Sequence, residues 1–300
     1  MLIAGVAAAL VVGAVVAVIA LGADGEEAPA PRPEATVAER PPAGRFDGAR
    51  SFAELERQVE LGPRPAGSKT LRELAGRLRR ALPNGRFEPV PGHPGLRNVV
   101  GHLPGSKPAV AIAAHYDTKD LPGFVGANDG AGGTAAVLEL ARALAKVDRL
   151  PGAPALRFIL FDGEEATDDS RAFERTGIRG SKAYARAHAD ELRALILLDF
   201  VAATDMRMVR ESSSDPRLWR KLRGAAKAAG VERFFPPGTG GAITDDHTPF
   251  LMRGVPAIDL IAWPYDCWHQ PCDDMSAVSE ESLDASGEAV LGLVRRLGGT

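Results

Sequence analysis

The chain has 300 residues, 25% of them charged, and a formal net charge of −3 with no long block of one sign. That length allows one large domain or two small ones with a sizeable core. The charge balance argues against a nucleic-acid surface, which would need a basic face; Arg72, Arg77, Arg79, Arg80 and Arg86 cluster on a helix-like segment and read as a solvated face.

At the N-terminus, Leu2 to Ala23, "LIAGVAAALVVGAVVAVIALGA", carries no charge. At 1.5 Å per residue, a helix of this length spans about 33 Å, the thickness of a bilayer core. A secretory signal has a shorter apolar region behind a basic start, and neither is present. The reading is therefore an uncleaved anchor (residues 1–23) carrying an extracytoplasmic domain, with secretion after signal cleavage as the alternative. No Lys or Arg precedes the span, so charge says little about orientation. Residues 24–48 are rich in Pro, Ala and Glu and read as an extended tether. A folded domain is expected over residues 49–300.

Within that domain, "SFAELERQVELG" and "SKTLRELAGRLRRALPNG" show helical spacing, with Ser51 and Ser68 as N-caps and Gly62 and Gly85 as stops. "NVVGHL" and "AVAIAAH" read as strands. "GAGGTAAVLELARALAKV" is a helix with a glycine-rich start. "ALRFILF" is a strand, "SKAYARAHADEL" a helix and "ALILLDF" a strand. "DPRLWRKLRGAAKAAG" is a helix and "VPAIDLIAW" a strand. The amphipathic helix "SEESLDASGEAVLGLVRRLG" closes the chain, with Ser279 as its N-cap. Continuous apolar strands alternating with helices predict an α/β fold with a mostly parallel central sheet and helices on both faces, preceded by the transmembrane helix.

In such folds ligands bind beyond the carboxyl ends of the strands. Four strand ends deliver His, Asp or Glu: His115 and Asp117, Asp162 to Glu165, Asp199, and then His269. The segment "FDGEEA" crowds three carboxylates into four positions, a costly arrangement unless something positive neutralises them. Imidazole with carboxylate is the ligand set of zinc, and such an ion would offset the repulsion.

The motifs "HYDT", "GANDGAGG", "FDGEEA", "LLDF", "DDHTPFLMRGVP" and "CWHQPCDD" resemble, in order and spacing, the zinc-dependent exopeptidase family that includes di-zinc aminopeptidases and animal-type glutaminyl-peptide cyclotransferases. The resemblance runs from about Asn98 to Leu297 and implies a zinc aminopeptidase-like fold. It implies Asp129, Glu165 and His269 as metal ligands and Glu164 as general base. In the aminopeptidases, positions matching His115 and Asp199 hold a second zinc and the one matching Asp117 orients the histidine; the cyclotransferases work with one zinc. Between one and two ions the residues do not decide.

Three features favour the cyclotransferase branch: Asp162 before Gly163 with the insertion Ala166–Arg179 before Gly180-Ser181; Asp245, matching an acid in a proton network with the glutamate and Asp199; and Trp268, matching a pocket-wall tryptophan. His247 takes a supporting role. Two departures concern the substrate pocket: the insertion offers Phe173 where a tryptophan is expected, and Asp259 replaces a histidine.

The expected reaction is conversion of N-terminal Gln to pyroglutamate with release of ammonia, catalysed by Glu164 with Asp199 and Asp245. The alternatives are a di-zinc aminopeptidase and a non-catalytic, membrane-tethered binding module. The partners implied are peptide or protein N-termini, and the membrane through residues 2–23, with no nucleic acid. Cys267 and Cys272 flank His269; a bridge in an exported domain and two free thiols in a cytosolic one both remain open.

Overall fold

The computed structural model describes residues 44–298, so the expected membrane helix and most of the tether lie outside the described residues. Among the described residues, no helix is long and apolar enough to cross a membrane.

The fold begins before the expected boundary. Phe46 is buried against α8 (Glu280–Arg296), where Gly287 leaves room for its ring. α1 (Gly48–Val59) is capped by Asp47, whose side chain accepts the N–H of Arg50. Ser51, expected as that cap, is instead buried on the helix: Gly48 and Ala49 join the helix because packing compensates for a weak propensity. Ser68 caps α2 (Lys69–Ala81) as expected, accepting from Leu71 N.

Six strands form one mixed sheet: β1 (Arg86–Pro89), β2 (Arg97–Leu103), β3 (Ser106–His115), β4 (Pro154–Phe161), β5 (Leu192–Leu198) and β6 (Ala257–Leu260), in the order β1-β2-β4-β3-β5-β6. β4, β3, β5 and β6 run parallel, whereas β1 and β2 are antiparallel at one edge. The expected mostly parallel sheet holds for the four strands from β4 to β6, and the sheet is mixed only through the antiparallel β1 and β2 at the opposite edge. β1, "RFEP", is short and half exposed, so it lacks the apolar run that marks a buried strand.

β3 alternates small and branched residues to both faces. Val110, Ile112 and Ala114 enter the large core with α1, α2, α3 (Gly133–Leu144), α6 (Pro216–Ala228) and α8, while Ala109, Ala111 and Ala113 face Tyr184 and Phe250. Those two rings come from α5 (Arg179–His188) and the short α7 (Thr248–Leu251). A further one-turn helix, α4 (Phe173–Thr176), lies in the insertion after β4. Trp219 is buried in the core.

Candidate active site

The carboxyl ends of β3, β4, β5 and β6 meet at one edge of the sheet. Behind β3, the chain makes a wide turn over Ala127–Gly132 before α3, with Asp129 at φ −85°, ψ 91° and Gly130 at φ 101°. A Cβ on Gly130 would sit 2.6 Å from Asp117 O, so only glycine lets the turn press against the β3 end. Gly133 is similarly confined, its Cβ position lying 2.1 Å from Leu198 O. The glycine-rich helix start therefore serves close backbone packing around Asp129.

Asp129 is the centre of the site. Its Oδ1 is 3.2 Å from His115 Nε2, and its Oδ2 is 3.6 Å from His269 Nε2. His269 Nε2 also lies 3.1 Å from Glu165 Oε2, and His115 Nε2 lies 3.2 Å from Asp199 Oδ1. Two ligand sets result, Asp129–Glu165–His269 and His115–Asp129–Asp199, each with its ligand atoms within 4.8 Å of one another. Every residue expected as a metal ligand is brought together.

Unsatisfied atoms in the same place test whether a cation fits. Asp129 Oδ2 and Glu165 Oε1 are buried without a hydrogen-bond partner, and buried carboxylate oxygens are rarely left so. Burial and Asp129 push the Glu165 carboxyl up to about 7, with His269 opposing. A divalent ion would fill these lone pairs and reverse that shift. Imidazole with two carboxylates suits zinc.

Glu164 belongs to neither ligand set, though it lines the same cavity as Asp129, Glu165 and His269. It shares this cavity of about 370 Å³ with Asp199, Asp245 and the aromatic residues Phe173, Trp263 and Trp268. Burial pushes the Glu164 carboxyl well up; His115 partly offsets this, and Glu165, Asp245 and Asp246 add to it. A carboxyl whose hold on a proton is strengthened in this way is suited to taking up and returning one. Trp268 stacks on His269 at 4.4 Å between ring centroids and meets Trp263 edge-on at 5.2 Å. Phe173, from the insertion, supplies an aromatic wall where the family resemblance expects a tryptophan.

The loop carrying the two glutamates is clamped from both sides. Asp117 accepts the backbone N–H of Glu164 at 3.1 Å and of Glu165 at 3.3 Å. Its Oδ1 is 3.7 Å from His115 Nδ1, so anchoring the glutamate loop is its closer engagement. From the insertion, Ile178 N donates to Glu164 O, and Arg179 donates to Gly163 O and Glu165 O. Asp162 turns away from the site, accepting the N–H of Arg97 at 2.8 Å and the hydroxyl of Tyr116 at 3.0 Å. The crowding in "FDGEEA" thus resolves into one carboxylate turned away from the site, Asp162, one in the cavity outside both ligand sets, Glu164, and one in a candidate ligand set, Glu165.

His269 sits at φ 53°, a left-handed conformation uncommon outside glycine. A Cys267–Cys272 bridge closes the loop around it, and Gln270 N donates to Cys267 O inside that loop. The bridged alternative is the one observed.

His247 supports the site from behind. Its ring is fully buried, with Nε2 2.8 Å from Ser213 Oγ and 3.4 Å from Glu211 Oε2, and Nδ1 3.8 Å from Asp259 Oδ2. Asp259 is therefore buried between His247 and Asp245, and it does not line the cavity. The departure at 259 changes a buried polar group and leaves the pocket wall untouched.

Several residues of the site had no reading in the sequence. Asp273 accepts the N–H of Asn128 at 2.8 Å and of Asp129 at 3.1 Å, together with the Tyr265 hydroxyl at 2.7 Å. Its signal was its place in "CWHQPCDD". Lys119 is buried, donating to Ala166 O and pairing with Asp169 in the insertion. Arg64 is wholly buried among backbone carbonyls, including Val125 O and Gly126 O just ahead of the Asp129 turn; burial lowers its pKa to about 10.

Comparison with known proteins agrees with this geometry. The profile of Peptidase family M28 matches residues 98–294. The chain is 34% identical over 233 residues to a glutaminyl-peptide cyclotransferase of Bos taurus, covering 64% of this chain and 62% of that protein. Among solved structures, a glutaminyl cyclase of Porphyromonas gingivalis aligns with TM-score 0.74 and 28% identity, covering 84% of this chain and 98% of that one. A leucine aminopeptidase precursor from Bacteroides thetaiotaomicron aligns with TM-score 0.73 and 28% identity, over 84% and 98%. The chain spans less than two thirds of the length of the curated relatives it matches first, 54% and 62%.

Proposed function

From the premise that this chain belongs to peptidase family M28, we propose that it is a zinc-dependent glutaminyl-peptide cyclotransferase acting on peptide or protein N-termini. The observation that carries this reading is the contrast between adjacent glutamates in one aromatic-walled cavity: Glu165 joins Asp129 and His269 in a candidate ligand set, while Glu164 stands outside both sets beside Asp199 and Asp245.

Asp129, Glu165 and His269 would hold the zinc, which when bound supplies Lewis-acid polarisation of the substrate's γ-carbonyl. The cavity offers carboxylates that accept hydrogen bonds from the substrate's α-amine, which reacts in its neutral NH2 form, and aromatic faces to the Gln side chain. Glu164 takes a proton from that amine as its nitrogen attacks the γ-carbon and closes the five-membered lactam. The same proton is delivered to the departing nitrogen as the C–NH2 bond breaks and ammonia leaves. Asp245 and Asp199 crowd Glu164 and keep a proton within the group. No water is consumed.

A second reading, a di-zinc aminopeptidase, is favoured by one observation: His115, Asp129 and Asp199 form a complete second ligand set. The binding-module reading expects lost ligands, and every expected ligand is in place. Ammonia release from a Gln-initiated peptide by the zinc-loaded full-length chain, with a Leu-initiated peptide as control, tests the proposal. Ammonia from the first peptide alone supports it; free leucine from the second would replace it with the aminopeptidase.

The same proposal includes a membrane anchor through residues 2–23, a tether and an extracytoplasmic catalytic domain. The uncharged apolar run supports it, and so does the Cys267–Cys272 bridge, which suits an oxidising compartment. Resistance of the full-length chain to alkaline extraction from membranes supports the anchor; release into the supernatant would sink it.

A further inference from the structure

A second groove opens beside the candidate active cavity. It has a volume of about 450 Å³ and runs between α5 and α7. Thr244 lines both the cavity and the groove, and Phe173 of the cavity is followed directly by Glu174 of the groove, so the two are contiguous along the insertion and the Thr244 loop.

Their charges are opposite. The cavity wall carries Asp129, Glu164, Glu165, Asp199 and Asp245. Lys182, Arg186 and Arg253 line the groove against a single acid, Glu174. Among the described residues, none of these three cations pairs with a carboxylate: Lys182 Nζ donates to the backbone O of Glu174 at 2.6 Å, and Arg253 donates to Pro249 O at 3.2 Å. Burial first, then Arg186 and Arg179, push the Lys182 ammonium down, with Glu174 and Asp246 opposing. Met252, 80% exposed, adds an apolar patch to the wall.

We propose that this groove receives the substrate chain downstream of its N-terminal residue, and that Lys182, Arg186 and Arg253 select peptides bearing an Asp or Glu side chain there. The inference rests on the reading of the cavity as a site for peptide N-termini. A cationic amine then enters the acidic end while a downstream carboxylate meets the basic end, so one polar orientation of the peptide is favoured and the reverse repelled. Arg offers a paired-donor fork to a carboxylate, and Lys a mobile point charge.

The test uses the zinc-loaded full-length chain and Gln-initiated peptides that are otherwise uncharged, with one Glu, Ala or Lys placed at each downstream position in turn. Total consumption is followed by mass spectrometry, whichever product forms. Glu at one downstream position is expected to raise kcat/KM about five- to tenfold over Lys at low salt, and the ratio should shrink as salt screens it. Lys182→Glu combined with Arg186→Glu should invert the Glu-to-Lys ratio within the variant. Equal consumption of all the peptides, or a ratio unmoved by the double variant, would overturn the inference while leaving the cyclotransferase reading intact. Removal of the first residue in place of ammonia loss would overturn that reading alone, and no consumption of any peptide would overturn both.

Discussion

Asp273 receives the backbone N–H of Asp129 at 3.1 Å, so the carboxylate shared by both candidate ligand sets is held in place by a second carboxylate behind it. Asp273 Oδ1 also accepts from Asn128 N and the Tyr265 hydroxyl. Asp273→Asn replaces an acceptor by a donor facing an N–H. Zinc affinity is expected to fall about 10- to 100-fold, as read by competition with a chromophoric chelator. Unchanged affinity would show that the Ala127–Gly132 turn holds Asp129 unaided.

The two adjacent glutamates should separate cleanly. Glu164→Gln removes the proposed proton carrier and is expected to lower kcat by about 10²- to 10⁴-fold with bound zinc unchanged. Glu165→Gln should lose zinc as well as activity. Metal analysis alongside turnover checks both; zinc loss in the Glu164 variant would contradict the assignment.

Gly163 links Asp162, which turns away from the site, to Glu164 in the cavity. Its φ is 73°, and a Cβ there would lie 2.8 Å from Leu96 Cδ1 and 2.9 Å from Arg179 Nε. Gly163→Ala should cost about 1–3 kcal/mol through left-handed strain and crowding, measured by urea denaturation. It should also reduce activity, because Arg179 holds the carbonyls of Gly163 and Glu165.

Glu211 gives a stability signature in acid. Burial raises its pKa, but hydrogen bonds from His247, from Ser213 and from the backbone N–H of Ile243 win, and it falls from 4.5 to about 2. A carboxyl depressed in the folded state contributes stability above its unfolded pKa and loses that contribution as pH falls through the folded one. Metal-free wild type should therefore exceed metal-free Glu211→Gln in stability at pH 6, with the gap closing between about pH 4.5 and pH 2. A gap that is constant with pH would show that Glu211 acts by packing alone.

Much of the fold was legible because buried strands write themselves as apolar runs: "AVAIAAH", "ALRFILF" and "ALILLDF" all became central strands, and their ends carry the site. β1 was not legible, since an edge strand of four residues has no such run. The residues of the two candidate ligand sets were readable from residue type and order at strand ends. Lys119 and Arg64 were not, because a polar side chain whose partners include distant backbone C=O groups leaves no local pattern, and Asp273 was marked only by its place in "CWHQPCDD". The reach of Ile178 and Arg179 back to the glutamate loop is equally tertiary, and so is the burial of Asp259 behind the cavity. Sequence marked Phe173 as a loss of the expected tryptophan; in space it still supplies an aromatic wall.

The central claim is that Glu164 carries a proton between two nitrogens of one substrate, with no water consumed. Reaction of a Gln-initiated peptide with the zinc-loaded full-length chain in heavy-oxygen water, read by mass spectrometry, tests it most directly. The account predicts a peptide of unchanged length that has lost ammonia and carries no heavy oxygen. A shortened peptide with heavy oxygen in the released residue, or a deamidated peptide carrying it in a new side-chain carboxylate, would contradict it.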